Sequence, residues 1–164
     1  MINKEELTQF LLKARAKTYY SGRGKVESAL KDSKQLEYRE DDWFYRDIYY
    51  SGNGIFMGLE TIYKDDKPVW AMSYYGNFKQ MSEEEIDRIL KKALLENWQN
   101  TRTWKHIEWE FEDYRYICEP DEAEDLEREE FIGSIEEMAG IEKIYKQGKD
   151  IYTFVYAGGL IKDF

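Results

Sequence analysis

Apolar side chains fall at Leu7, Phe10, Leu11 and Ala14, and again at Ile86, Ile89, Leu90, Ala93 and Leu94. Both sets follow the spacing of one helix face. Asn3 and Ser82 precede them, each with a glutamate three places on (Glu6 and Glu85). The pattern predicts two amphipathic helices opened by capping boxes. Elsewhere the period changes to two. Runs rich in aromatic and β-branched residues centre on 35–40, 43–50, 55–64 and 68–75, separated by Asp41-Asp42, Ser51-Gly52-Asn53-Gly54 and Asp65-Asp66. These read as strands joined by tight turns.

The same units recur down the chain. Lys13-Ala14 returns as Lys92-Ala93, Glu37-Tyr38 as Glu108-Trp109, and Asp42-Trp43-x-Tyr45 as Asp113-Tyr114-x-Tyr116. Gly58, Glu60, Ile62, Tyr63, Lys64, Lys67, Tyr74 and Gly76 match Gly140, Glu142, Ile144, Tyr145, Lys146, Lys149, Tyr156 and Gly158, with Gln147-Gly148 as the second hairpin turn. The expected fold is α+β: an internal duplication of a helix followed by an antiparallel β-meander, with the helices packed on one face of the sheet or sheets. Repeat one spans 1–80. Repeat two spans 81–164 and carries an acidic insertion at 119–130, read as a solvated helix; together they make one compact domain.

The repeated glutamates are the first candidates for function. A two-residue turn at Asp65-Asp66 sets Ile62 against Val69, Glu60 against Ala71 and Gly58 against Ser73. Glu60 would then stand among small residues on one face, with Met57, Leu59, Tyr63, Trp70, Met72 and Tyr74 on the other. Glu142, beside Gly140, would face Thr153. A carboxylate ringed by small groups leaves room for a ligand; a structural ion pair or a solvent-facing sheet explains it equally simply. The neighbour across the next loop distinguishes these. Arg46 beside Glu60 would make an ion pair, whereas Asp47 would make two carboxylates in an aromatic-rimmed hollow that attracts a cation. The candidate ligand-binding set is Glu60, Glu142, Tyr45, Asp47, Trp70, Tyr74 and Tyr75.

Charge and composition narrow the partners. The 164 residues carry a net charge of −10 and a pI near 4.8. Such a chain repels phosphate backbones, so direct nucleic-acid binding is not expected. Cys118 is the sole cysteine and forms no internal disulfide, which fits a cytoplasmic location. No signal peptide or long apolar span is present, so no membrane role is expected. His106, the one histidine, has no nucleophile elbow near it in sequence. Cys118 lacks a CxxC partner, and Ser21-Gly22-Arg23-Gly24-Lys25 lacks the full phosphate-loop pattern. No catalytic residue, metal or cofactor is expected.

Four stretches together resemble the bacterial DUF5680 family. They are Asp32-Ser33-Lys34-Gln35-Leu36-Glu37-Tyr38, Tyr45-Arg46-Asp47, Phe56-x-Gly58-x-Glu60, and Lys67-Pro68-Val69-Trp70-x-Met72-x-Tyr74-Tyr75-Gly76. Phe131-x-Gly133, Glu142-x-Ile144-Tyr145 and Gly158-Gly159 continue the likeness. Thr101-Arg102-Thr103-Trp104 departs from the Arg-Gly-Pro usual at that place. The resemblance implies a module with no established activity, found alone or behind helix-turn-helix regulators, hence sensing or partner binding. Two functions follow as expectations. The first is non-enzymatic binding of a small cationic or aromatic ligand between the repeats. The second is an interaction or immunity protein whose acidic surface takes a basic protein partner. A homodimer would close any uncovered aromatic face.

Overall fold

Among the described residues, nine strands form one antiparallel sheet: β1 (Lys25–Val26), β2 (Lys34–Glu40), β3 (Trp43–Gly52), β4 (Ile55–Lys64), β5 (Lys67–Asn77), β6 (Ile107–Phe111), β7 (Tyr114–Pro120), β8 (Glu137–Lys146) and β9 (Lys149–Leu160). The computed structural model describes residues 1–121 and 133–162. Strand order is β1-β2-β3-β4-β5-β9-β8-β7-β6. Two runs of hairpins therefore meet at the β5–β9 pair, and residues before and after position 80 share a single sheet. Among the described residues, helix is confined to α1 (Lys4–Lys17) and to a second, short stretch made of α2 (Glu83–Glu85), a π-helical turn (Ile86–Leu90) and α3 (Lys91–Glu96).

The expectation of an α+β fold built from duplicated helices packed on the sheet is overturned. Among the described residues sheet predominates, with two short helical segments. Period-two alternation covers far more of the described residues than the helical period does and continues through strands of up to 12 residues, so hairpin pairing rather than helix packing sets the architecture. The helix ends do follow their caps. Asn3 accepts hydrogen bonds from the backbone N–H groups of Glu5 and Glu6, and Ser82 and Glu85 form a reciprocal capping box. Leu7, Phe10, Leu11 and Ala14 of α1, with Ile89, Leu90, Ala93 and Leu94, join Tyr45, Ile62, Trp70, Met72, Tyr116, Ile144 and Phe154 of the sheet in one buried cluster.

Tight turns set the strand registers. Asn53-Gly54, Asp65-Asp66 and Gln147-Gly148 all have both residues at positive φ, the requirement of a type I′ hairpin. From Gly52↔Ile55 the β3–β4 ladder counts back to Asp47↔Glu60. The β4–β5 ladder begins at Lys64↔Lys67, but a bulge between Ile62 and Tyr63 shifts it, giving Ile62↔Trp70, Glu60↔Met72 and Gly58↔Tyr74. The expected Glu60–Ala71 pairing is therefore wrong by one residue. A one-residue slip moves every side chain to the other face. Glu60 shares its face with Trp70, Met72 and Tyr74, not with Ala71 and Ser73. The β8–β9 ladder slips in the same way, so Glu142 faces Phe154 instead of Thr153. Each bulge lets two consecutive residues, Val69-Trp70 and Ile151-Tyr152, both be buried. Pro68, which has no N–H to donate, sits at the edge of the first.

Residues 122–132, and with them most of the acidic run 119–130, its predicted helix and Phe131, lie outside the described residues. No helix among the described residues is long and apolar enough to cross a membrane.

Candidate functional site

Glu60 lies at the middle of β4 and is 4% exposed. A buried carboxylate needs a cation or several donors, and Arg15 supplies both. Arg15 Nη2 donates to Glu60 Oε2 at 2.7 Å, and Arg15 Nε lies 3.0 Å from the same oxygen and 3.2 Å from Oε1. Its remaining nitrogen, Nη1, donates to the Arg102 carbonyl at 2.8 Å. Burial alone would lower the pKa of Arg15; Glu60, Tyr20 and Tyr45 together outweigh it and hold the guanidinium charged. The ion-pair partner is thus a helix residue. Arg46 points to the opposite face, 3.5 Å from Glu37. Arg15 continues the α1 stripe Leu7–Leu11 at four-residue spacing, which is the sequence signal that it is buried.

Glu142 is similarly saturated. Arg102 donates to both of its oxygens at 3.0 Å, and the hydroxyls of Tyr116 and Tyr152 donate at 2.6 and 2.9 Å. Arg102 holds φ at 56°, and its guanidinium lies 4.0 Å from the Phe154 ring centre. Thr101-Arg102-Thr103 therefore forms a buried polar turn, a role its loop-like sequence does not announce.

Asp47 differs from both glutamates. It is 3% exposed and directly opposite Glu60. Its one hydrogen bond among the described residues comes from the Tyr74 hydroxyl, 2.6 Å from Oδ1, and no described Arg or Lys pairs with it. Burial raises its pKa first and the Glu60 charge second. Tyr74, Arg102 and Arg15 pull the other way, and the carboxyl settles at about 7. Burial, then Asp47 itself, holds the Tyr74 hydroxyl well above its ordinary range, so it remains a donor.

Tyr74 reaches Asp47 by crossing β4 over Gly58. A Cβ at position 58 would fall 2.6 Å from both the Tyr74 hydroxyl and Tyr49 Cβ, and closer still to the Ile48 carbonyl. The backbone oxygen cannot move aside, so Gly58→Ala is expected to lose about 1–3 kcal/mol in urea unfolding and to displace Tyr74 from Asp47. A wild-type unfolding midpoint would show that the crossing is not tightly packed.

Asp47, Glu60 and Arg102 line a cavity of about 160 Å³ walled by Tyr19, Tyr49, Phe56, Tyr74 and Phe78. Ile86 and Leu90 close another side. They bracket the π turn, in which the Lys91 N–H reaches back to the Ile86 carbonyl; such widened turns recur at functional sites. Lys34 and Ser51, both exposed, stand at the rim. Aromatic faces around an anionic group suit an organic cation.

Residues 47–161 match the family model described as a domain of unknown function, DUF5680. The chain belongs to the DUF5680 family. Neither a curated protein nor a solved structure matches it. Within this DUF5680 chain the matched segment includes Asp47, Glu60, Tyr74 and Glu142, while Arg15, Tyr19 and Lys34 precede it.

The remaining sequence candidates divide. Tyr45 is fully buried beside Glu60, whose charge, after burial itself, raises its pKa. Trp70 is core, its indole N–H donating to the Ile135 carbonyl at 3.1 Å. Tyr75 pairs with Val155 on the opposite face of the sheet, away from Asp47. Asp47 and Tyr74 are brought together; Glu142 is separated from them by its own network. The position facing Glu142 on β7 is Cys118, not an aspartate, and Tyr156 crosses Gly140 to donate to the Thr103 carbonyl at 2.7 Å. The uncompensated carboxyl therefore occurs beside Glu60 and not beside Glu142. No cluster of three or more His, Cys, Asp or Glu suited to a metal occurs among the described residues.

Proposed function

We propose that this DUF5680 domain binds a small organic cation, without turning it over, in the aromatic cavity at Asp47, and serves as a sensing module. One observation carries the reading: a nearly fully buried carboxyl that lacks a cationic partner among the described residues, at the floor of a cavity walled by five aromatic rings. Glu60 and Glu142, the carboxylates most conspicuous in sequence, are already neutralised by Arg15 and Arg102. They serve as scaffold. A ligand between the two glutamates is therefore replaced by a ligand on Asp47. The alternative, a basic protein held on the acidic surface, leans on the run 119–130, most of which lies outside the described residues.

A cation competes with the proton for Asp47. Affinity for an organic cation is expected to fall about tenfold per pH unit below about 7 and to level off above it. Calorimetric titration with small amines and ammonium ions, against their neutral isosteres, from pH 5.5 to 8.5 measures this. Cations that bind no better than their neutral isosteres at every pH would sink the reading.

A further inference from the structure

Resting on that reading, we infer that the ligand is a one-ring monoamine whose protonated N–H group bonds directly to Asp47, rather than a quaternary ammonium or a diamine. Three features point to it.

The first is the unfilled hydrogen-bonding capacity of Asp47. Tyr74 occupies Oδ1, and no described residue donates to Oδ2. A carboxylate this buried gains most from a donor that also brings charge, because such bonds are short and strong. A quaternary ammonium has no N–H and holds its charge behind methyl groups. It would enjoy the ring faces of Tyr49 and Tyr74 but leave Oδ2 desolvated and unpaired.

The second is size. The cavity holds about 160 Å³, and an apolar cavity of about 150 Å³ accepts one benzene. A single ring with a one- or two-carbon arm, seated with its amine on Asp47, is of the size that volume takes.

The third is the sign of charge at the two ends. Arg102, already paired with Glu142, lines the cavity, and the exposed Lys34 stands at the rim with its Nζ 5.8 Å from the centre of the Tyr49 ring. One positive charge at Asp47 is compensated. A second, at the far end of a diamine, would meet Lys34.

The test is calorimetric titration of the full chain at pH 8 with four probes: benzylamine, benzyltrimethylammonium, benzyl alcohol and 1,4-bis(aminomethyl)benzene. Benzylamine is expected to bind about tenfold or more tightly than each of the others, the discrimination of a charge-assisted hydrogen bond. Asp47→Asn should lose that advantage. Melting curves of the variant and the native chain verify folding. Equal binding of benzylamine and benzyltrimethylammonium, with benzyl alcohol weak, overturns the N–H inference and leaves the organic-cation reading standing. A diamine as tight as benzylamine overturns the monoamine assignment alone. No binding of either monocation overturns both, as does benzylamine binding that Asp47→Asn leaves unchanged while the variant is folded.

Discussion

Asp47→Asn is expected to melt at a higher temperature than the native chain at pH 8, and the gap should close as the pH falls toward 4. The native fold raises the Asp47 pKa from an ordinary 3.8 to about 7, so the folded state binds a proton that the unfolded chain has already released. Stability contributed by the protonated carboxyl is fully present below the unfolded value and is lost as the pH climbs through the folded one. The cost accumulates between about pH 4 and pH 7 and is constant above, on the order of 4 kcal/mol at most. Asparagine has nearly the same shape, does not titrate, and still accepts from Tyr74. Thermal melts of both proteins at pH 4, 6 and 8 measure the gap, which for a chain of this length should approach 10 °C at pH 8 (on the order of 2–4 °C per kcal/mol). A pH-independent gap would mean that Asp47 is ionised as readily in the fold as outside it. Combined with lost amine binding, the expected result would mark Asp47 as a residue that stability alone disfavours and ligand binding requires.

Arg15→Met should be the most damaging single change in the buried network, at about 3–5 kcal/mol near neutral pH. Methionine fills much of the volume but leaves Glu60 without its cation, directly across the ladder from Asp47, and leaves the Arg102 carbonyl without its donor. Two facing carboxylates cannot both ionise cheaply. The loss should therefore shrink as the pH falls and Asp47, the partner whose pKa is raised, is neutralised. Glu60→Gln in the same chain should recover part of the stability by removing the unpaired charge. Urea unfolding at pH 5 and pH 8 of the single and double variants gives the comparison. A double variant no better than Arg15→Met would show that the arginine acts through packing and its bond to Arg102 rather than through Glu60.

Much of the strand layout was legible along the chain. The expected runs 35–40, 43–50, 55–64 and 68–75 lie within two residues of β2 to β5, because alternation bounded by Asp, Asn and Gly is a local signal. The Asn53-Gly54 pair also carried the decisive β3–β4 register, since those residues tolerate the left-handed conformation of a two-residue turn. Taking the loop as four residues hid it. The β4–β5 register failed at the bulge, where the burial of both Val69 and Trp70 overrode the simple count from the turn. That one residue moved Glu60 from an imagined hollow of small side chains to the buried face, where Arg15 meets it.

Helix stripes, turn chemistry and the pairing of Glu60 with Glu142 in the pattern are properties of neighbouring residues, so they can be read in one dimension. The family resemblance too is written in contiguous motifs. Which carboxylate lacks a cation is a different kind of fact. It depends on Arg15 reaching Glu60 across 45 positions, on Arg102 filling Glu142, and on the missing side chain of Gly58 letting Tyr74 cross to Asp47. Each is a contact between segments distant in the chain, and charge compensation in a buried site is set by distance in space. The sequence pointed to the two glutamates; their arginines in the folded chain leave Asp47 as the buried carboxyl without a cationic partner among the described residues.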